Sequence, residues 1–292
     1  MKKILAFILT LTTALTLIFS LAACSGTASE TEAEEEKELD ETFIKRFDFE
    51  LTEDEKAYVV TGYGVQFEKE ITIPSTHEGL PVIGIGKMAF KQNSTITKVV
   101  IPDSITYIEA EAFYECTKLT SVTLGSGIKT IGKAAFEKCN LVKSFTLPEG
   151  LTEIGARAFA GCTAIESINI PTTVTKVGER AFQSTKYMMQ GADNYFHGVF
   201  VLDKWVIHTD RDLVDANLPD NVVGIADNAF FRAESLEILE IPASVKYIGE
   251  NAFSSCSSLK TVTYPLTYMM WLNIDIGSGN ENLKNANLDY KI

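Results

Sequence analysis

Along most of the chain, apolar residues return in one fixed phase. The dipeptide Ala-Phe ends at Phe90, Phe113, Phe136, Phe159, Phe182, Phe230 and Phe253, in steps of 23 residues with a single step of 48 after Phe182. An apolar residue followed by proline keeps the same beat at Ile73-Pro74, Ile101-Pro102, Leu147-Pro148, Ile170-Pro171, Leu218-Pro219, Ile241-Pro242 and Tyr264-Pro265, and Leu124-Gly125 takes its place once. Within a unit, Val142, Phe145 and Leu147 return as Ile165, Ile168 and Ile170. Such spacing turns alternate side chains of a short strand toward a core, and proline ends the strand where its missing N–H costs least. A second apolar pair follows, such as Leu151 and Ile154, and then Ala-Phe. This return segment reads as extended backbone with a short helical turn near the Phe. A period of this length marks stacked supersecondary units. The expected fold is a β-rich solenoid, a right-handed stack with one short strand per repeat and short helical turns. Its ends must hide the core, so residues 42–70 should form the N-terminal cap and residues 266–292 the C-terminal cap of a complete domain spanning 42–292.

The spacing L-x-x-L-x-L with Ala-Phe at a 23-residue period resembles the BspA-like leucine-rich repeats of many bacterial surface proteins. The resemblance covers roughly residues 58–292. The opening Val59-Val60-Thr61-Gly62-Tyr63 and Ile73-Pro74-Ser75-Thr76 are similar to the usual first repeat. Trp271, Ile276-Gly277-Ser278-Gly279-Asn280 and Leu283 are similar to the closing segment. The resemblance implies a leucine-rich-repeat stack and adhesion or protein binding at a cell surface. It implies no catalytic residue.

The formal charge of -13 argues against a nucleic-acid partner, which would want a basic face. It also argues against docking on anionic lipid, and suits a soluble surface protein. The N-terminus reads as a leader over residues 1–23: Lys2 and Lys3, then an apolar stretch from Ile4 to Phe19, then Leu21-Ala22-Ala23-Cys24. That ending resembles the lipobox of bacterial lipoproteins, in which the cysteine is acylated and becomes the new N-terminus. An ordinary secretory leader containing a cysteine is the alternative. Residues 24–41 follow as a tether. Eight acidic residues and Lys37 between Ser25 and Glu41, with almost no apolar residue, cannot bury a core. Nothing later is long and apolar enough to span a bilayer. Together these features place the chain on the outer face of a bacterial membrane, held there by its lipid anchor alone.

The chemistry-bearing residues are sparse. Cys116, Cys139, Cys162 and Cys256 each lie three residues after a repeat Phe, with Asn93, Thr185 and Ala233 at the other such positions. This spacing lacks the CxxC and nearby His of a metal site. Neighbouring strands lie about 4.8 Å apart, wider than the about 3.8 Å Cβ separation of a disulfide. Four buried, reduced, structural thiols are expected. His77, His197 and His208 read as surface residues. No G-x-S-x-G elbow is present, and pairs such as Gly84-Ile-Gly86 fall in repeat turns rather than in a phosphate cradle. No enzyme signal and no cofactor follow. The outward strand positions are Lys98 and Val100, Ser121 and Thr123, Ser144 and Thr146, Ser167 and Asn169, Ile238 and Glu240, and Thr261 and Thr263. They form a small, hydroxyl-rich face without a stacking platform for single-stranded nucleic acid.

The one interruption, residues 183–217, concentrates Tyr187, Tyr195, Phe196, Phe200 and Trp205. Val199-Phe200-Val201-Leu202 and Trp205-Val206-Ile207 flank Asp203-Lys204 as a hairpin with a two-residue turn would. The segment is either a degenerate repeat that keeps the stack continuous or a functional insert. On the second reading Tyr195, Asp203, Lys204 and a partly exposed Trp205 form a binding patch beside the strand face. The expected function is a lipid-anchored, non-catalytic module that binds an extracellular protein or glycan. The alternatives are a structural envelope lipoprotein or an accessory binding subunit of a surface enzyme system. The leader reading has a direct check. Mass spectrometry of the membrane form should show a lipid adduct on a peptide that begins at Cys24, and a soluble, unmodified product starting elsewhere would refute it.

Overall fold

The computed structural model describes residues 47–64, 68–190 and 195–290. The leader, Cys24, the tether and residues 42–46 lie outside the described residues. From Phe47 the chain winds as a β-solenoid of about 10 turns with little helix.

Each regular turn carries two short strands, one more than the repeat pattern predicted. The front strands pair in parallel: Glu70–Thr72 with Lys98–Val100 and then Ser121–Thr123, Ser144–Phe145 with Ser167–Ile168, and Asp215–Asn217 with Ile238–Glu240, Thr261–Tyr264 and Asn287–Tyr290. The return segments pair as well. Leu80–Ile85 pairs with Tyr107–Ile108, followed by Thr130–Ile131, Glu153–Ile154 and Lys176–Val177. The apolar pair in each return segment, expected as extended backbone, thus forms a second ladder.

The segment around each Phe is a run of three overlapping reverse turns and not a helical turn. In one unit Ala135 N–H donates to Gly132 O (3.2 Å) and Cys139 N–H to Phe136 O (3.2 Å). The third residues of these turns, Ala134 (φ 54°) and Lys138 (φ 63°), lie in the left-handed region, as a type II turn requires. The same pair of left-handed residues recurs at Glu111 and Glu115, and at Asn228 and Arg232. Each non-glycine residue held there costs about 1–2 kcal/mol. The compensation is a third ladder of backbone bonds between coils. Met88, Phe90 and Gln92 donate to Ala110 O, Ala112 O and Tyr114 O at 3.1, 2.8 and 2.6 Å, and the pattern continues along the stack.

The core follows from this register. Phe90, Phe113, Phe136, Phe159 and Phe182 stack nearly parallel, with centroids 4.8, 5.1, 5.7 and 5.5 Å apart, and Phe230 stacks on Phe253 at 4.7 Å. Burying one such ring contributes about 1.5–3 kcal/mol. The four cysteines are buried free thiols. Cys116, Cys139, Cys162 and Cys256 donate to the carbonyls of Phe90, Phe113, Phe136 and Phe230 in the preceding coil, at 3.1, 3.3, 3.0 and 3.2 Å. Burial pushes the Cys116 and Cys162 thiols up to about 12 and that of Cys256 to about 11. At neutral pH these thiols remain protonated donors.

The ends are finished differently. The strand Phe47–Leu51 pairs antiparallel with Tyr58–Tyr63. It brings Phe47 and Tyr63 over Phe90, with centroids at 6.3 and 5.7 Å. At the C-terminal end Asn280 is fully buried. Its Oδ1 accepts the Phe253 N–H (2.9 Å), and its Nδ2 donates to Gly249 O and Gly277 O (2.9 Å each). One side chain thus stands in for an absent next coil.

Coil spacing also restricts the residue after each return strand. A Cβ at Gly155 would sit 2.6 Å from the carbonyl carbon of Gly132, and one at Gly178 would run into the backbone nitrogen of Ala156. Backbone on both sides cannot rotate away. Gly178→Ala should therefore lower stability by about 1–3 kcal/mol as an overpacking change, read from denaturant unfolding. An unchanged midpoint would show that the coils separate more easily than this packing implies.

Candidate functional site at the break in the repeat

Between Phe182 and Phe230 one coil is replaced. A short helix, Lys186–Gln190, stands where a front strand would begin. The expected hairpin then forms: Val199–Leu202 pairs antiparallel with Trp205–Thr209, and Tyr195–Phe196 adds a third strand. Asp203, at the turn, has φ 54°, a conformation that Asp tolerates better than most residues. Trp205 and Val206 continue the return ladder by pairing with Gly224 and Ile225. After Val206 the hairpin leaves the stack, and Asp227 N–H bonds past it to Val177 O (2.9 Å).

The four candidate residues separate in this geometry. Trp205 is 2% exposed, which corrects the expectation that it is a partly open anchor. Its indole lies against Gly224, where a Cβ would overlap the ring, and it is parallel to Tyr247 with centroids 6.2 Å apart. A large ring laid across a glycine buries surface the glycine cannot cover itself. Asp203 is half-buried and engaged: its Oδ2 accepts the Ile170 N–H at 2.9 Å. At Ile73, Ile101, Leu218 and Ile241 that bond goes to the carbonyl of the next coil. Asp203 supplies the missing acceptor. Lys204 is half-exposed at the hairpin tip, and its carbonyl accepts the Val223 N–H (2.8 Å). Tyr195 alone is open, 43% exposed, and sits toward the other end of the hairpin. Burial of its ring and a hydrogen bond to Asp210 hold its hydroxyl up at about 12. The four residues form no single patch.

Exposed apolar side chains gather in two places, around the break and in the C-terminal segment at Tyr268, Met269, Met270 and Leu272. Met189, Tyr195, Phe196, Val214, Phe231 and Ile238 are all exposed, whereas from Phe90 to Phe182 only Leu141 is. Sequence reading found Tyr195 and Phe196 through their aromatic character. It missed Phe231, which follows a repeat Ala-Phe, and the basic group of Arg180, His208 and Arg211. The front face keeps its hydroxyls outward at Ser121, Thr123, Ser144, Thr146 and Ser167, and the Asn169 amide beside them. Thr263 turns out buried, and Lys98 and Val100 are half-buried. Among the described residues no three metal-ligating side chains converge, and no helix is long and apolar enough to cross a membrane.

The pattern of the BspA type leucine rich repeat region matches residues 66–189 and 208–289, in six copies. The chain belongs to the BspA-type leucine-rich repeat family. Its match lapses between those spans, where the hairpin lies. No curated protein matches the chain. Among solved structures it is similar to the leucine-rich repeat protein of T. pallidum, 25% identical, covering 74% of this chain and 89% of that one, with a TM-score of 0.51. It is also similar to a leucine-rich cell surface protein of Faecalibacterium prausnitzii A2-165, at 22% identity, 80% and 97% coverage and a TM-score of 0.42. The pneumococcal vaccine antigen PcpA is 17% identical, with 75% and 71% coverage and a TM-score of 0.42. The likeness to the T. pallidum protein agrees with a leucine-rich-repeat fold.

Asp203 offers a test of the hairpin's role in the stack. Asp203→Ala leaves the buried Ile170 N–H without an acceptor and should cost about 1–3 kcal/mol. Asp203→Asn keeps an oxygen acceptor and should cost less than half as much by thermal unfolding. Equal losses would refute the substituted-acceptor role.

Proposed function

We propose that this protein is a lipid-anchored, non-catalytic surface module that binds an extracellular protein or glycan at the break in its repeat. The observation that carries the reading is the distribution of exposed apolar side chains. A solenoid interior tolerates little variation, so variation collects where the repeat rule lapses. Tyr195, Phe196, Val214, Phe231 and Ile238 are open to solvent at or beside it, while the regular stack from Phe90 to Phe182 exposes only Leu141; a second open run, Tyr268, Met269, Met270 and Leu272, lies in the C-terminal segment. Exposed apolar groups concentrated in one region mark interaction sites, and Tyr is among the commonest interface anchors. The hydroxyl-rich front face offers hydrogen bonds beside them. The leader, Cys24 and the acidic tether supply the anchor and the reach, and membership of the BspA-type family supports a surface role.

The purified protein should be screened against host matrix proteins, glycans and peptidoglycan fragments. The combined change Tyr195→Ser, Phe196→Ser and Phe231→Ser should weaken the ligand so found at least tenfold. Because the three side chains are exposed, the melting temperature should hold. Undiminished binding by the stripped variant would move the site off the break and refute the reading.

A further inference from the structure

The last front strand leaves a sheet edge unpaired. Asn287–Tyr290 pairs in parallel with Thr261–Tyr264 on one side and ends the front ladder on the other. Its Asn287 N–H donates to Lys260 O (2.8 Å). Alternate residues of a strand turn their backbone groups to opposite sides, so Leu288 and Tyr290 turn theirs away from the stack. The Ala286 carbonyl does the same, because a trans peptide points it opposite to the Asn287 N–H. None of these outward groups has a backbone partner among the described residues. Natural sheet edges are usually blunted by Lys, Pro or a bulge. This strand contains neither residue, and its register is unbroken. The opposite edge of the front ladder, Glu70–Thr72, is instead entered through Glu68 and Lys69 and carries charge from Glu68 through Glu70.

An uncharged run lies beside this edge. From Leu266 to Ile274 the chain carries no charged residue. The run includes a short helix, Tyr268–Trp271, whose Trp271 is buried against Tyr264 with ring centroids 5.4 Å apart. Tyr268, Met269, Met270 and Leu272 are exposed, Met269 at 69%. The Tyr268 ring meets Tyr290 edge-on, with centroids 5.9 Å apart. That contact fixes the run at the C-terminal end of the unpaired strand. Net charge is nearly absent here. Asp275, Glu281 and Asp289 against Lys284 and Lys291 leave -1 from Leu266 to Ile292, out of -13 for the whole chain. The self-repulsion that keeps copies of an acidic protein apart is therefore weak at this end.

We propose that this edge docks a second copy of the chain, through antiparallel pairing of Asn287–Tyr290 with itself about a two-fold axis at Leu288. The strand is self-complementary in that register. Leu288 stands opposite Leu288, and Asn287 opposite Asp289 of the second copy. Asn287 and Asp289 are exposed on the outer face, and Leu288 and Tyr290 are half-buried on the other. The pairing sets apolar against apolar and an amide donor against a carboxylate, with no like charges opposed. Leu288 N–H donates to the Leu288 carbonyl of the second copy and Tyr290 N–H to its Ala286 carbonyl, and the symmetry repeats both bonds. A slip of one residue would set Leu288 against Asp289. The exposed run beside Tyr290 then faces residues 281–286 of the second copy and is partly withdrawn from water. A two-fold contact closes on itself, so assembly stops at the dimer. This surface is independent of the ligand-binding reading of the break.

Sedimentation equilibrium of the purified protein over a wide concentration range tests the pairing. The expected result is a reversible monomer–dimer equilibrium with no larger species. Asn287→Asp sets carboxylates opposite one another on both sides of the axis and should weaken association about tenfold. Adding Asp289→Asn to that variant exchanges the pair and should restore wild-type association. Both side chains are exposed, so the single and double variants should melt like the wild type. Leu288→Pro removes an outward N–H while sparing the inward bonds of Asn287 and Asp289, and should abolish the dimer. A monomer at every concentration would overturn the proposal, and so would undiminished association of Asn287→Asp. A monomer that co-sediments with phosphatidylglycerol vesicles would also overturn it and give the apolar run to a lipid surface.

Discussion

Every regular coil of this protein depends on its neighbour for the acceptors of its own backbone N–H groups. Strands of two or three residues cannot satisfy themselves, and the turns around the Phe residues form only short internal bonds. The bonds that run between coils, in two strand ladders and one turn ladder, therefore set the spacing of everything else. At about 4.8 Å per coil the Phe rings stack face to face, and each cysteine thiol meets the carbonyl of the Phe one coil earlier. The same spacing leaves no room for a Cβ at Gly155 or Gly178. It also explains why charged residues such as Glu111, Glu115 and Lys138 tolerate left-handed backbone. Their N–H groups gain inter-coil acceptors there, and their side chains pair across coils, Lys91 with Glu111 at 2.6 Å and Gln92 with Glu115 at 2.8 Å. Exposed pairs of that kind add little each, so the backbone ladder carries the arrangement.

Wherever the stack is interrupted, that dependence has to be met by other means. Asn280 meets it at the C-terminal end with one buried amide that both accepts and donates. Asp203 meets it at the hairpin by handing a carboxylate oxygen to Ile170. These polar residues look like ordinary turn residues in the sequence, yet each replaces part of a coil. Trp205 does the corresponding work for the apolar side, covering Gly224 and extending the return ladder. The aromatic enrichment of the hairpin is thus partly the cost of closing the core across a missing repeat, and only Tyr195 and Phe196 of that aromatic group remain open.

The periodic part of the fold was legible because its constraints repeat. Ala-Phe, the apolar-proline step and the cysteine position each recur in phase, and buried Phe and Cys side chains occupy those places. The second strand of each coil escaped notice because it spans only two residues, such as Glu153–Ile154, too few for an alternation to show. The reverse turns escaped because their left-handed positions carry Glu, Lys, Arg, Ala and Ser as readily as Gly or Asn, so composition gives no turn signal. Trp205 was misjudged for a related reason. Aromatic character alone does not separate an anchor from a core residue, and the deciding fact is a glycine 19 residues later that pairs with it.

The same reasoning supports the proposal that binding chemistry lies at the break. In a regular coil the axial N–H groups are all committed, and the interior admits only the residues that the spacing allows. What remains variable is the front face, whose hydroxyls suit an open strand whether or not a ligand lies on it. The break differs in kind. There the coil after Phe182 diverges, the turn N–H groups of Arg180, Phe182 and Ser184 meet no backbone acceptor among the described residues, basic side chains from two separate segments line one cavity, and apolar side chains stay exposed. Replacing one coil with a hairpin costs the stack its continuity. It also frees the side chains there from the spacing rule that a uniform repeat imposes on every coil.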